Sequence, residues 1–230
     1  MPQIIGKERY FTPSNDTISV RALYNDKAIA LLIEWDDRTR SIPGDADAEK
    51  VADPPLAEDG VAVQWPVVIP SDMQKPYFGM GDAASPVNVW HWKSGSKSAT
   101  ESISLMNSRG FKEIEKRDAA AVGLTAKGSY EDGTWKVLMV RPLAAAEADK
   151  DIQFVEGKFI PVAFAAWDGS NNSEKGSKHT MTTWYWVLLK PAAGYRPLLM
   201  GLIVALMVAG GLVWWARSAA RRATGGQLRD

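Results

Sequence analysis

The stretch "TISVRALYNDKAIALLIEW", Thr17 to Trp35, decides the fold class. Two runs rich in β-branched and aliphatic residues flank Tyr24-Asn25-Asp26, a tight-turn signal, and together they predict a β-hairpin. Further candidate strands follow at Val61–Val67, Val87–Lys93, Thr134–Arg141 after the Asp132-Gly133 turn, Phe159–Trp167 and Thr180–Leu189. Only Glu101–Arg117 carries a helical pattern. The acidic loop Pro43–Gly60 reads as a solvated excursion. Seven or so strands separated by turns predict a mainly β protein, an antiparallel β-sandwich.

The other decisive stretch is "PLLMGLIVALMVAGGLVWWA", Pro197 to Ala216, 20 residues without a charge. At about 1.5 Å per residue it spans a hydrocarbon core of ~30 Å. Trp214 and Trp215 mark one interface, and Arg217, Arg221, Arg222 and Arg229 follow, against Lys190 and Arg196 ahead. The expected organisation is therefore a sandwich over residues 1–190, a linker 191–196, a single transmembrane helix 197–216 and a basic cytoplasmic tail 217–230. The sandwich would sit on the periplasmic or extracellular side of the cell membrane, close to the bilayer. The opening "MPQIIGKERYFTPSNDT" has no apolar stretch long enough for a secretory signal, so an N-terminal part of a longer precursor is expected to be missing.

Composition narrows the chemistry. Lys plus Arg balance Asp plus Glu at 27 each, which gives no electrostatic case for nucleic acid. The absence of cysteine excludes disulfides, iron–sulfur ligation and thioether-linked haem within the chain. There is no HExxH pattern, P-loop, dinucleotide fingerprint or Ser-His-Asp order, so the chain does not read as an independent enzyme. The carboxylates show no paired spacing that singles any out.

Two loop–strand junctions remain. Met80 sits in Gly79-Met80-Gly81, just ahead of the aromatic strand Val87–Lys93. His179 follows the polar segment after Trp167. The two could meet at one end of a sandwich, and His with Met is an axial pair of electron-transferring haem. A lone histidine or methionine is more often structural.

The segments "VRALYNDKAIALLIEWDD", "FGMGDAASPVNVWHWKSG" and "FAAWDGSNNSEKGSKHTMTTWYW" resemble the haem-b subunit of type II DMSO-reductase-family enzymes. That group includes the ethylbenzene, dimethylsulfide, selenate and chlorate enzymes and nitrite oxidoreductase. The most specific part is Met80-Gly81, Pro86-Val87-Asn88 and Trp90-His91-Trp92-Lys93. The resemblance implies a β-sandwich holding one non-covalent haem b between a methionine and a lysine, with Met80 as the methionine ligand. Its second ligand falls on His179 when the family pattern is laid on Glu174–Thr182, and on Lys178 when counted from Trp167. Imidazole is neutral near pH 7 whereas an ammonium must first lose a proton, which favours His179. His91 falls where the family has an ordinary strand aromatic and reads as structural.

Trp90, Trp92, Trp184 and Trp186 are candidate pocket walls, with ordinary core as the other reading. The resemblance further implies an electron-transfer subunit working with a molybdopterin catalytic subunit and an iron–sulfur subunit, or other respiratory-complex subunits, and a cytochrome c-type partner. The membrane helix departs from the soluble members of that group. The alternative is a tethered, carbohydrate-binding-like module without haem, since "LYNDKAIALLIEWDD" also resembles such sandwiches.

Overall fold

The structure is a computed structural model and describes residues 3–4, 16–52, 56–71, 74–95, 102–170, 179–191 and 194–225. The first compact unit, Met1–Leu189, is built from two antiparallel sheets. In chain order the strands are β1 (Gln3–Ile4), β2 (Ser19–Tyr24), β3 (Ala28–Asp36), β4 (Gly60–Pro66), β5 (Val87–Lys93) and β6 (Ile103–Ser108). They continue with β7 (Ile114–Arg117), β8 (Thr125–Glu131), β9 (Thr134–Pro142), β10 (Phe159–Trp167), β11 (His179–Met181) and β12 (Tyr185–Leu188). The larger sheet runs β1-β11-β10-β4-β5-β6-β7, with β12 also on β10; the smaller runs β2-β3-β9-β8.

The expected hairpin forms as β2 and β3, with Tyr24 opposite Ile29 and Asn25 Oδ1 accepting from the Lys27 and Ala28 N–H groups. Asp132 and Gly133 take positive φ, 50° and 75°, and turn β8 into β9. The helical expectation for Glu101–Arg117 is overturned. That region forms β6 and β7, because Ile103 and Leu105 enter the core at period two as β6 pairs with β5. The last expected strand is split into β11 and β12, both on the same edge of β10.

The core between the sheets is aromatic. Trp35, Trp92 and Trp135 meet with centroids 5.1 to 6.3 Å apart, and Trp65, Trp90 and Phe154 form a second group. Such ring pairs add about 0.5–1.5 kcal/mol each beyond area burial. The smaller sheet has one wetter face: β3 alternates between buried and half-buried positions, and β9 between buried positions and half-buried or exposed ones. By contrast, β4 is buried along its whole length and β10 along nearly all of it. Burial on both faces means that something apolar also covers the outside of the larger sheet. A second cluster of Ala62, Val87, Val89, Ala165 and Met181, with Phe78, Met80, Met106, Trp167 and Trp184, lies there.

The second unit, Lys190–Asp230, is dominated by α2 (Arg196–Gly225). Its stretch Arg196–Arg222 is long and apolar enough to cross a membrane, and the large apolar side chains between Leu198 and Trp215 are exposed. A six-residue helix, α1 (Ala46–Val51), sits in the acidic loop and is N-capped by Asp45.

Candidate functional site

Residues directly opposite one another across strands share a face. The register therefore puts Gly60, Ala62 and Gln64 of β4, Ala163, Ala165 and Trp167 of β10, and His179 and Met181 of β11 together with His91 and Val89 of β5 and Met106 of β6. This is the outer face. A pocket of about 180 Å³ opens on it. Its floor is made of small side chains, Ala62, Ala163 and Ala165, and its walls include Met80, Met106, Met181, His91, Trp167 and His179.

Met80 arrives from the β4–β5 connection and is held by its backbone. Its N–H donates to Gln64 Oε1 (3.1 Å), and Gln64 Nε2 donates to the Phe78 carbonyl (2.9 Å). Its carbonyl accepts from Gly110 N–H (2.8 Å) and Ser108 Oγ (2.7 Å). Met80 itself has φ of +71°. That region costs a residue with a Cβ roughly 1–2 kcal/mol, and such strain concentrates at functional positions. Gly81, at φ +72°, has no alternative: a Cβ there would stand 3.0 Å from the Ser85 carbonyl oxygen and 3.1 Å from that of Ser108.

Three rings of the lining stand in a row. His91 and Trp167 have centroids 4.8 Å apart, and Trp167 stacks on His179 at 5.2 Å and 27°. Gly60 leaves room for this row, since a Cβ there would lie 3.4 Å from His91 Nε2. Burial, with a smaller contribution from Lys93, pushes the His91 imidazole down to about 4, so it is neutral at physiological pH.

Met80 and His179 therefore line one pocket, although it lies on a sheet face and not at an end of the sandwich. Lys178 lies outside the described residues. Trp90 and Trp92 are not pocket walls in this structure: they point from β5 into the core between the sheets, 0% and 3% exposed. Trp184 packs in the outer cluster and donates to the Pro76 carbonyl (2.8 Å). Trp186 lines a separate groove, with Lys75 Nζ 4.4 Å from its ring. Sequence reasoning missed Met106, Met181 and His91 as pocket residues. The available signal was the alternation of small residues in "GVAVQ" and "AFAAW", which leaves an open strip on one face.

A second cluster was also missed. Carboxylate oxygens of Asp37, Asp59 and Asp168, all buried, lie within 4.8 Å of one another. Asp59 closes the acidic loop expected to be solvated, yet it is 0% exposed and accepts from Ser41 N–H, Trp135 Nε1 and Gly169 N–H. Burial, then the Asp59 and Asp168 charges, push Asp37 up to about 8.

Fold and pocket together define a class: an antiparallel sandwich with an apolar, methionine- and histidine-lined site on the outside of one sheet, followed by a chain segment able to cross a membrane. A family model described as ethylbenzene dehydrogenase matches residues 7–119 and 105–179, and the chain belongs to this family. The resemblance carried by Met80-Gly81 and Trp90–Lys93 is thereby borne out.

A relative in Haloferax mediterranei, named "Putative respiratory nitrate reductase heme subunit", is 30% identical over 75% of this chain and 55% of its own length. The dimethylsulfide dehydrogenase subunit gamma of Rhodovulum sulfidophilum is 27% identical over 80% of this chain and 64% of its own. The chlorate reductase subunit gamma of Ideonella dechloratans is 26% identical over 76% and 65%. The chain thus spans between 55% and 65% of the length of these relatives. A solved Bacteroides uniformis structure, described as a carbohydrate-binding protein, aligns with a TM-score of 0.40 at 11% identity over 76% of this chain and 72% of its own. That is too low to carry an argument.

Proposed function

We propose that the chain is a haem-carrying electron-transfer subunit of a membrane-bound respiratory oxidoreductase, and not a catalyst by itself. The observation that carries this is the Met80 loop, held at positive φ by four hydrogen bonds to its backbone and its Gln64 clamp, over a pocket that also contains His179. The donor set fits a haem. A thioether and a neutral imidazole are ligands of low-spin iron, and the floor of alanines leaves space for a flat apolar group. With no cysteine to attach it, the group is a non-covalent haem b. When bound, haem supplies a reversible one-electron couple.

The chain's own residues do the rest. Met80 and His179, with Lys178 as the alternative to His179, would hold the iron. Ala62, Ala163 and Ala165 exclude water from one side. The pocket opens on the outer face of the larger sheet, so a group held there would be within reach of a partner. By the family resemblance the partners are a molybdenum catalytic subunit, an iron–sulfur subunit and a cytochrome c-type acceptor or donor. The helix Arg196–Gly225 is a single-pass anchor with its arginine-rich end in the cytoplasm, leaving the sandwich outside.

A sugar-binding reading finds little support. Gln64, a polar side chain of the pocket lining, already spends its Oε1 and Nε2 on backbone. Visible spectra of the full chain purified from membranes, oxidised and reduced, test the proposal. A Soret band that shifts on reduction, with pigment that acidified acetone extracts, is expected. No Soret band, or pigment that stays with the polypeptide, would overturn it.

A further inference from the structure

We propose that Asp37, Asp59 and Asp168 together hold one divalent cation of the calcium class. Asp37 follows β3, Asp59 precedes β4 and Asp168 follows β10, so the site joins the smaller sheet to two central strands of the larger one. Their carboxylate oxygens lie within 4.8 Å of one another. Three oxygens no more than 4.8 Å apart have a common centre at most about 2.8 Å from each, a few tenths of an ångström beyond calcium–oxygen distances of about 2.3–2.6 Å, so a small side-chain adjustment brings all three onto a single ion.

The second observation is an orphan. Asp37 is 1% exposed, and its Oδ2 makes no hydrogen bond of normal geometry among the described residues; the nearby Trp35 Nε1 is likewise unsatisfied. Its other oxygen is occupied by Thr39 N–H (3.1 Å). Neither Asp37 nor Asp59 forms an ion pair with a described lysine or arginine. Meanwhile Asp59 is held as a carboxylate by Ser41 N–H (2.7 Å), Trp135 Nε1 (2.9 Å) and Gly169 N–H (2.8 Å). Asp168 Oδ1 accepts from Ser170 N–H (3.0 Å) and Oγ (2.7 Å).

Asp37 and Asp59 bring carboxylates into a dry corner with no described lysine or arginine paired to either, a costly arrangement that a bound cation would relieve. All-oxygen donors with no imidazole or thiol select a hard cation over zinc or copper. Asparagine matches aspartate in size and shape, so Asp37→Asn removes a carboxylate ligand without opening a cavity. Because Asp59 adjoins Gly60 and Asp168 adjoins Trp167, the ion would fix both strand ends that border the pocket.

The test is independent of haem. The full chain in detergent is stripped with chelator and titrated with Ca²⁺ by calorimetry, and with Tb³⁺ by luminescence excited through tryptophan. Trp135 Nε1 lies 2.9 Å from Asp59 Oδ2, close enough to sensitise the lanthanide. One Ca²⁺ per chain, a sensitised Tb³⁺ signal displaced by Ca²⁺ at lower concentration than by Mg²⁺, and at least tenfold weaker binding in Asp37→Asn are expected. Absence of Ca²⁺ binding at millimolar concentration would overturn the proposal. So would undiminished binding in a folded Asp37→Asn or Asp168→Asn variant, or displacement that favours Mg²⁺.

Discussion

Replacing Met80 by glycine separates its service to the fold from its service to a ligand. At φ +71° the methionine costs about 1–2 kcal/mol that glycine would not. Against this, glycine loses the burial of a half-covered side chain, about 1 kcal/mol when full burial is worth ~1.5–3. It also adds roughly 0.5–1 kcal/mol of unfolded-chain entropy. The hydrogen bonds at position 80 all use backbone atoms and survive the change. The sum is near zero, so Met80→Gly should leave the haem-free chain within about 1 kcal/mol of the parent in urea unfolding. Haem titration should nevertheless lose the low-spin spectrum and weaken at least tenfold. A haem-free variant destabilised by more than ~3 kcal/mol would mean that Met80 is core packing, and unchanged low-spin binding would refute its role as a ligand.

For the second ligand, His179→Ala should give a high-spin or haem-free protein while Lys178→Ala stays low-spin; the reverse pattern would assign the lysine. His91, held at about 4 against an ordinary 6.5, binds its proton more readily in the unfolded chain. The His91 contribution to the stability of the haem-free chain should therefore fall as pH drops from about 6.5 toward about 4, by up to ~1.4 kcal/mol per pH unit, against the opposite slope from the raised Asp37 and Asp59 carboxyls. His91→Phe should remove this slope in urea titrations at pH 7 and pH 5, and an identical slope in both proteins would exclude His91 as its source. Protease added to intact spheroplasts should digest the sandwich; protection of the whole domain would contradict the proposed orientation.

Strands whose two faces differ were the legible part. In β3 the apolar period of two, bounded by Asn25-Asp26, indicates both the strand and its turn. β6 was not legible, because "ISLMNS" is short and its neighbours mimic helical spacing; only pairing with β5 makes it a strand. Met80 was legible through its flanking glycines. Trp90 and Trp92 show the limit: alternation on β5 puts them on one face and His91 on the other, but which face meets the second sheet and which meets the pocket depends on strand order. The Asp37–Asp59–Asp168 cluster joins residues far apart in the chain, and no local spacing could announce it.

We propose an electron-carrying haem held by Met80 on the outer face of the larger sheet. Near-infrared magnetic circular dichroism of the oxidised, haem-loaded full chain tests it most directly, because the charge-transfer band distinguishes thioether–nitrogen from bis-nitrogen ligation. A low-spin, methionine-ligated signature that disappears in Met80→Gly is predicted. A bis-nitrogen or high-spin signature in the parent protein would contradict the account.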